Sequence, residues 1–417
     1  MANLRIGICG WGNVATGLYE QLVSGDSVYS ELELCCIGAR RDNPRCNPAS
    51  TKIIRDIFAV VEEDIDVLVE LIGGVDIARE LILSALKSGK HVVTANKAVI
   101  FEHGEELIEA AKNNNVRLLF ESAVCAGTPT IKILSNDLGA NKISKVAGML
   151  NGTTNFILSN MEEGARYEDV LQEAKDKGFA EPDPSLDVNG TDAAHKIGIL
   201  AALLFNSGLP ANNFYIEGIE KISPQDFNHA DEFNFTIKHL AVTQIQKNGI
   251  ELRSHPVMLE KESSLAGLKG VRNGIQFDTD LLGEFHVAGS GAGRESTASG
   301  LISDLIALLK NNDSEPMKYP NFSNKPSIIN FDELKFKYYV YLEVKNESGV
   351  LALISKIFAD HKISFDKIIQ KDQLNSGDVP MVIFTDPVVE SEMQIALKDL
   401  NTNPVILNSK IIRIEDL

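Results

Sequence analysis

Asp192 and Lys196 close the segment GFAEPDPSLDVNGTDAAHK (178–196) and open DAAHKIGILAALLFN (192–206). On a helix, four-residue spacing sets the carboxylate and the ammonium on one face, one turn apart. Such a pair can handle a proton: the ammonium gives it up and the carboxylate holds the ammonium in place. Spacing alone fits a plain helix-surface ion pair equally well. The residues after Lys196 are nearly all apolar, however, so most sides of this helix are expected to be buried and the pair only partly exposed. Its place at a helix N-terminus, where the dipole disfavours an ammonium, also sets Lys196 apart from an ordinary surface lysine. His195 falls on another face and reads as structural. Glu181, Asp183 and Asp187 crowd the loop ahead of the helix, among two prolines and a glycine.

Proton handling gains meaning beside a hydride carrier. Gly10, Gly12 and Ala15 form a G-x-G-x-x-A turn after the apolar run LRIGIC (4–9) and before a helical pattern. That order provides a tight turn, close backbone approach to a pyrophosphate and a helix N-terminus aimed at it, the signature of dinucleotide binding. The next apolar run ends in Arg40-Arg41 rather than in an acid. Arginine there can pair with a 2′-phosphate, which points to NADP, with NAD also usable. Thr94-Ala95-Asn96-Lys97 lies past the carboxyl end of a strand, where open α/β sheets bind ligands. In Glu121-Ser122-Ala123-Val124-Cys125-Ala126-Gly127-Thr128-Pro129, a carboxylate precedes small residues whose carbonyls can turn inward. That set suits a hard cation, though it suits a tight loop as well.

These residues need a scaffold. Apolar runs at 32–39 and 65–72, strands at 91–95 and 116–121, and helices near 76–88 and 104–114 alternate as in a doubly wound parallel sheet. A Rossmann-type, NAD(P)-binding domain is expected over residues 1–135, completed by about 290–312. A mixed α+β catalytic and dimerisation domain is expected over 136–289. Residues 313–334, rich in Asn, Pro, Ser and Lys, read as a linker. Residues 335–417 follow the strand and helix order βαββαβ, that of a small ferredoxin-like regulatory module.

Bulk composition narrows the function classes. The 417 residues carry a net charge of −18, which argues against nucleic acid or an anionic membrane as partner. No apolar run is long enough to cross a bilayer, and MANLRIGICG lacks the regions of a signal peptide, so a cytoplasmic protein is expected. The five cysteines (Cys9, Cys35, Cys36, Cys46, Cys125) show no metal-ligand spacing and read as reduced thiols.

The motifs GWGNVATG (10–17), VVTANKA (92–98), FESAVCAGTP (120–129), GMLNGTTNFIL (148–158), GFAEPDPSLDVNGTDAAHK (178–196) and GSGAG (289–293), in that order, resemble homoserine dehydrogenase over residues 1 to about 310. The remainder resembles an ACT domain, as in the longer single-function members. The resemblance implies NAD(P)-dependent interconversion of L-aspartate 4-semialdehyde and L-homoserine, in threonine, methionine and isoleucine biosynthesis. It implies Lys196 as acid–base residue and Lys97 assisting near the reacting oxygen. Glu181, Asp192 and the Gly178 backbone would hold the amino acid. Gly10, Gly12, Asn13, Val14, Arg40, Thr94, Lys97 and Gly293 would line the cofactor. Glu121, Val124, Ala126 and Thr128 would match a structural monovalent-cation (Na+) site, mostly through carbonyls. The ACT resemblance implies feedback by an amino acid, threonine by pathway logic, and a homodimer or homotetramer. Asn346-Glu347-Ser348-Gly349 departs from the usual Asp-x-Pro-Gly of such modules. Two other classes compete: a non-catalytic sensor, which has no need of Lys97, Glu181, Asp192 and Lys196, and another semialdehyde or oxo-acid dehydrogenase.

Overall fold

The computed structural model describes residues 3–24, 30–180, 183–208, 214–310, 320 and 324–417. The early apolar runs form β1 (Leu4–Cys9), β2 (Leu32–Gly38), β3 (Lys52–Ile54), β4 (Val67–Glu70), β5 (His91–Thr94) and β6 (Leu118–Leu119). They pair in parallel in the order β3-β2-β1-β4-β5-β6. This is the doubly wound order, and it reverses between β1 and β4, where such sheets bind ligands. The strands read as continuous apolar runs because both faces are covered. On one face, α2 (Asp76–Lys87) and α3 (Lys97–Asn113) pack on Cys9, Leu68 and Val92. On the other, α1 (Asn13–Val23) packs on Ile6, Ile8 and Val69. α3 starts at Lys97 rather than near 104, because the Asn96 side chain accepts the Val99 N–H and caps it. Gly104 is buried inside this helix.

A second, mixed sheet holds β7 (Ile143–Met149), β8 (Tyr215–Ile216), β9 (Phe235–Gln246), β10 (Gly249–Glu260), β11 (Arg272–Thr279) and β12 (Gly283–Ser290). Between β7 and β9 run α4 (Gly152–Glu162), α5 (Tyr167–Asp176), α6 (Ser185–Val188), α7 (Thr191–Phe205) and α8 (Pro224–Asp231). After β12 the chain returns to the first sheet. There α9 (Arg294–Leu309) adds Ala298, Leu301 and Leu305 to the core that α1 covers. Gly17 of α1 has no room for a Cβ, because Arg294 of α9 crosses there.

The C-terminal elements are β13 (Lys335–Val344), α10 (Val350–Asp360), β14 (Phe365–Gln370), β15 (Val379–Thr385), β16 (Val388–Val389), α11 (Glu390–Asn401) and β17 (Ile406–Ile414). Their main strands lie antiparallel in the order β17-β13-β15-β14, a ferredoxin-like arrangement. This unit is not a separate bead. β17 pairs in parallel with β10 at Val257↔Arg413 and Met258↔Ile414, so one eleven-stranded sheet runs through both parts.

The expected linker over 313–334 needs correcting in part. Residues 313–319 and 321–323 lie outside the described residues. Of the rest, Ile328 bridges Ile250, while Ile329, Phe331 and Leu334 are buried. Phe331 stacks on Tyr215 with ring centroids 3.5 Å apart. Apolar side chains at these positions turn 328–334 into core at the junction.

Candidate active site

Helix α7 begins at Gly190, whose φ of +87° is left-handed and whose missing Cβ would lie 2.8 Å from His239 Nε2. This tight start sets Asp192 and Lys196 on the buried side of the helix, at 5 % and 9 % exposure, so they are no surface pair. Lys196 Nζ lies 2.7 Å from Asp192 Oδ2 and donates to the Leu150 carbonyl at 2.6 Å. Lys97, the first residue of α3 on the dinucleotide-type sheet, places its Nζ 2.8 Å from Asp192 Oδ1. One carboxylate therefore joins two lysines that arrive from two different sheets. Burial pushes the Asp192 carboxyl up, but the Lys196 and Lys97 ammoniums beside it win and hold it well below the usual range.

The LNGTTNF run explains the rest of this cluster. Asn151 caps α4 by accepting the Thr154 N–H at 2.8 Å. Its Nδ2 donates to both Asp192 Oδ2 and Asp187 Oδ1, at 2.8 Å each. Burial pushes the Asp187 carboxyl up, against the Asn151 hydrogen bond. Sequence reading had passed over Asn151 as a site residue, although a residue that favours N-caps ahead of a helical run was its signal. Thr153 ties the other end of the acidic loop by donating to the Phe179 carbonyl at 2.7 Å. Gly178 ends α5 at a φ of +71°, and it is exposed. Asp183 accepts the Ser185 N–H at 3.1 Å and is exposed. Glu181 lies outside the described residues. His195 stacks on Phe101 at 4.4 Å, as a packing residue does.

A cleft of about 550 Å³ opens at the carboxyl ends of β1, β2 and β4, lined by Gly10, Gly12, Arg40, Arg41 and Ile72 among others. Gly10 takes a φ of +113°, and a Cβ there would collide with the Leu71 carbonyl. Gly12 caps α1 in an extended conformation without a side-chain bond, so the first N–H groups of the helix, from Asn13 and Val14, have no side-chain cap. Arg40 and Arg41 are exposed on the rim, while the neighbouring Asp42 pairs with Arg55 at 2.6 Å.

Thr94 is placed differently from Arg40. It is fully buried, and its hydroxyl donates to Glu70 Oε2 at 2.6 Å and accepts the Asn96 N–H at 2.9 Å, so its side chain is engaged within the protein. Glu70, which the sequence did not single out, also accepts the Ile72 N–H at 2.9 Å and the Gly73 N–H at 3.3 Å. It shapes the turn after β4, and its signal was an acid closing the apolar strand VLVE. Gly293 opens α9 at a φ of +109°.

The Glu121 carboxylate is largely engaged by backbone. It accepts the N–H groups of Thr130, Ile131 and Lys132 at 2.6, 3.0 and 2.9 Å. What the loop can offer is carbonyls. Cys125 and Ala126 both stand in left-handed conformation, φ 57° and 52°, although neither is glycine. Holding two such residues costs about 1–2 kcal/mol each, which packing around this buried loop must offset. Among the described residues no group of three or more His, Cys, Asp or Glu could hold a metal. Neutral carbonyl donors suit a monovalent cation better than a transition metal.

Two family models match the chain: "Homoserine dehydrogenase, NAD binding domain" over residues 10–121 and "Homoserine dehydrogenase" over residues 129–306. The homoserine dehydrogenase of Pseudomonas aeruginosa is 39 % identical, over 100 % of both chains. A crystal structure of a homoserine dehydrogenase from Thiobacillus denitrificans superposes with a TM-score of 0.92 at 34 % identity, covering 100 % of this chain and 99 % of that one. A hyperthermophilic archaeal homoserine dehydrogenase solved in complex with NADPH gives a TM-score of 0.63 at 30 % identity, covering 74 % of this chain and 98 % of that one.

Proposed function

The chain belongs to the homoserine dehydrogenase family and is an NAD(P)-dependent oxidoreductase, and from that premise we propose how its residues divide the work of interconverting L-aspartate 4-semialdehyde and L-homoserine. A bound nicotinamide cofactor supplies the hydride. Lys196 gives its proton to the oxygen of the C4 aldehyde as that carbon is reduced, and takes it back from the homoserine hydroxyl in the other direction. Its charge also stabilises the developing alkoxide. Lys97 stands on the other side of Asp192 and adds a second positive charge to the pocket. The observation that carries this reading is the Lys97–Asp192–Lys196 array, with Asp192 and Lys196 buried and Lys97 half-exposed, which spans the gap between the nucleotide sheet and the second sheet.

Asp192 and Glu181 are the partners for the substrate α-ammonium, with the Gly178 backbone beside them. Oδ2 of Asp192 already accepts from Lys196 and Asn151, and Oδ1 meets Lys97. A carboxylate offers about four acceptor positions, so one on Oδ1 remains for an ammonium. Arg40 and Arg41 at the cleft rim, with no acid free at the end of β2, favour NADP over NAD. Carbonyls of Glu121, Val124, Ala126 and Thr128 would hold Na+ as a structural ion. The C-terminal unit is an ACT domain that takes an amino-acid effector, threonine by the logic of the pathway, and the enzyme works as a cytoplasmic homodimer or homotetramer.

Following NADPH absorbance with homoserine and NADP tests the activity. Steady turnover supports the reading. Cofactor and homoserine binding without turnover would identify a sensor instead. The same assay with threonine on the full chain tests the regulatory part, which fails if activity is unchanged at saturating threonine.

A further inference from the structure

The Leu150 carbonyl accepts two side-chain hydrogen bonds. One comes from Lys196 Nζ at 2.6 Å and the other from Asn273 Nδ2 at 3.0 Å. Asn273 lies on β11 opposite Gly289 of β12 and is fully buried. Because a carbonyl can only accept, the amide nitrogen must be the atom facing Leu150. That nitrogen also lies 3.6 Å from the buried Cys125 Sγ. The amide oxygen, Oδ1, is buried with no partner among the described residues. Gly291 passes so close that a Cβ on it would overlap the Asn273 amide, so the glycine segment before α9 is folded directly onto this side chain.

An unpaired buried acceptor is destabilising, and a leucine, of the same branched shape though larger, would carry none. A side chain kept at a cost to stability calls for a role in function. The Lys196 ammonium has three N–H donors on four rotatable bonds. Asp192 Oδ2 takes one donor and the Leu150 carbonyl takes another. With two donors anchored, the direction of the third is fixed by the tetrahedral geometry of the ammonium. The anchor is only as firm as the carbonyl itself, which sits in the turn between β7 and α4.

We propose that Asn273 is a positioning residue for proton transfer: it fixes the Leu150 carbonyl that aims the Lys196 ammonium, and it ties that anchor to the glycine segment 289–293. This rests on the reading of Lys196 as the acid–base residue. Loss of the amide donor lets the carbonyl swing and the ammonium wander, an error of position rather than of binding.

The test is a double-mutant cycle on the full chain, following homoserine oxidation with Asn273→Leu, Lys196→Ala and the two combined. Asn273→Leu is expected to hold both KM values within about threefold and to lower kcat about 10- to 100-fold. Added to Lys196→Ala, it should cost less than about twofold more, because its effect runs through the lysine. The near-isosteric Asn273→Asp, which puts an acceptor where the donor was, should lose kcat to a similar extent and guards against a folding failure of the leucine variant. The proposal is overturned if both single variants keep kcat within about twofold, or if the losses multiply in the double variant. It is overturned too if kcat, KM and Tm all fall together. Should Lys196→Ala itself keep wild-type kcat, the acid–base reading fails, and this proposal with it. Loss in Lys196→Ala alone would sink only the role of Asn273.

Discussion

Asp192 holds two ammonium groups, Lys196 buried beside it and Lys97 half-exposed, so each member of the trio can be removed with a distinct outcome. Asp192→Ala leaves Lys196 buried without its counter-charge and should cost about 3–5 kcal/mol of stability, measurable by urea unfolding, as well as turnover. Asp192→Asn keeps the shape and an acceptor but not the charge, so it should fold better and still turn over slowly. A stability loss below about 1 kcal/mol for Asp192→Ala would mean that the pair behaves as a solvated surface bridge. At this scale the i,i+4 pair and the nucleotide turn were legible, because both are local in sequence. The approach of Lys97 to Asp192 was not, since it joins residues nearly a hundred positions apart on different sheets. Neither was the engagement of the Glu121 carboxylate by three N–H groups from residues 130–132.

Helix α7 is aimed by the residue just before it. Gly190 is left-handed, and its missing Cβ leaves room for His239. Gly190→Ala therefore pays both a backbone penalty of about 1–2 kcal/mol and a clash, and it tilts the helix that carries Asp192 and Lys196. A lowered Tm together with a kcat loss is expected; a Tm unchanged within a degree would show that the start of the helix yields freely. Gly10→Ala meets the Leu71 carbonyl and should weaken cofactor binding, read by NADPH fluorescence titration, with α7 undisturbed. Most elements were readable from apolar period and length, including α7 and the main βαββαβ order of the C-terminal unit, though not the short β16. The start of α3 was misjudged because a cap at Asn96 outweighs a glycine seven residues inside the helix. The short edge strand β3 carries too few apolar residues for any period to show.

The molecule as a whole is joined by buried charge. Arg413 on β17 donates to Glu390 and to Glu217 at 2.8 Å, and Arg253 on β10 reaches Glu415 at 2.7 Å. Glu217 in turn gives its carbonyl to His239 at 2.9 Å, the ring against which Gly190 starts α7. Cutting the chain before residue 335 would strip β10 of its neighbour β17 and leave Arg253 without Glu415. Truncation is therefore expected to lower Tm and activity together, rather than simply to release an enzyme from feedback. Nothing local in the sequence announced this joint, because the β10–β17 pairing spans about 150 residues and only two register positions.

The same buried region sets a pH response. Burial holds His239 neutral, pushed down to about 4, and burial with Arg413 and Arg253 nearby holds His255 well below 6.5. The unfolded chain takes up protons at both rings below about 6.5 while the folded chain does not. Stability is thus complete above about 6.5 and falls as pH drops toward 4, by roughly 3 kcal/mol for His239 alone. His361 runs the other way, raised by Asp399, but it is exposed and screened. Urea midpoints between pH 7.5 and 4.5 check this, and a midpoint flat across that range would contradict it.

The most direct measurement of the central claim is the steady-state rate of NADPH formation from homoserine by the wild-type chain and by Lys196→Ala under saturating conditions. Wild-type turnover with a loss of about 10²- to 10⁴-fold in Lys196→Ala is the predicted result. Near-normal turnover in Lys196→Ala, with activity abolished in Lys97→Ala, would contradict it and exchange the roles of the two lysines.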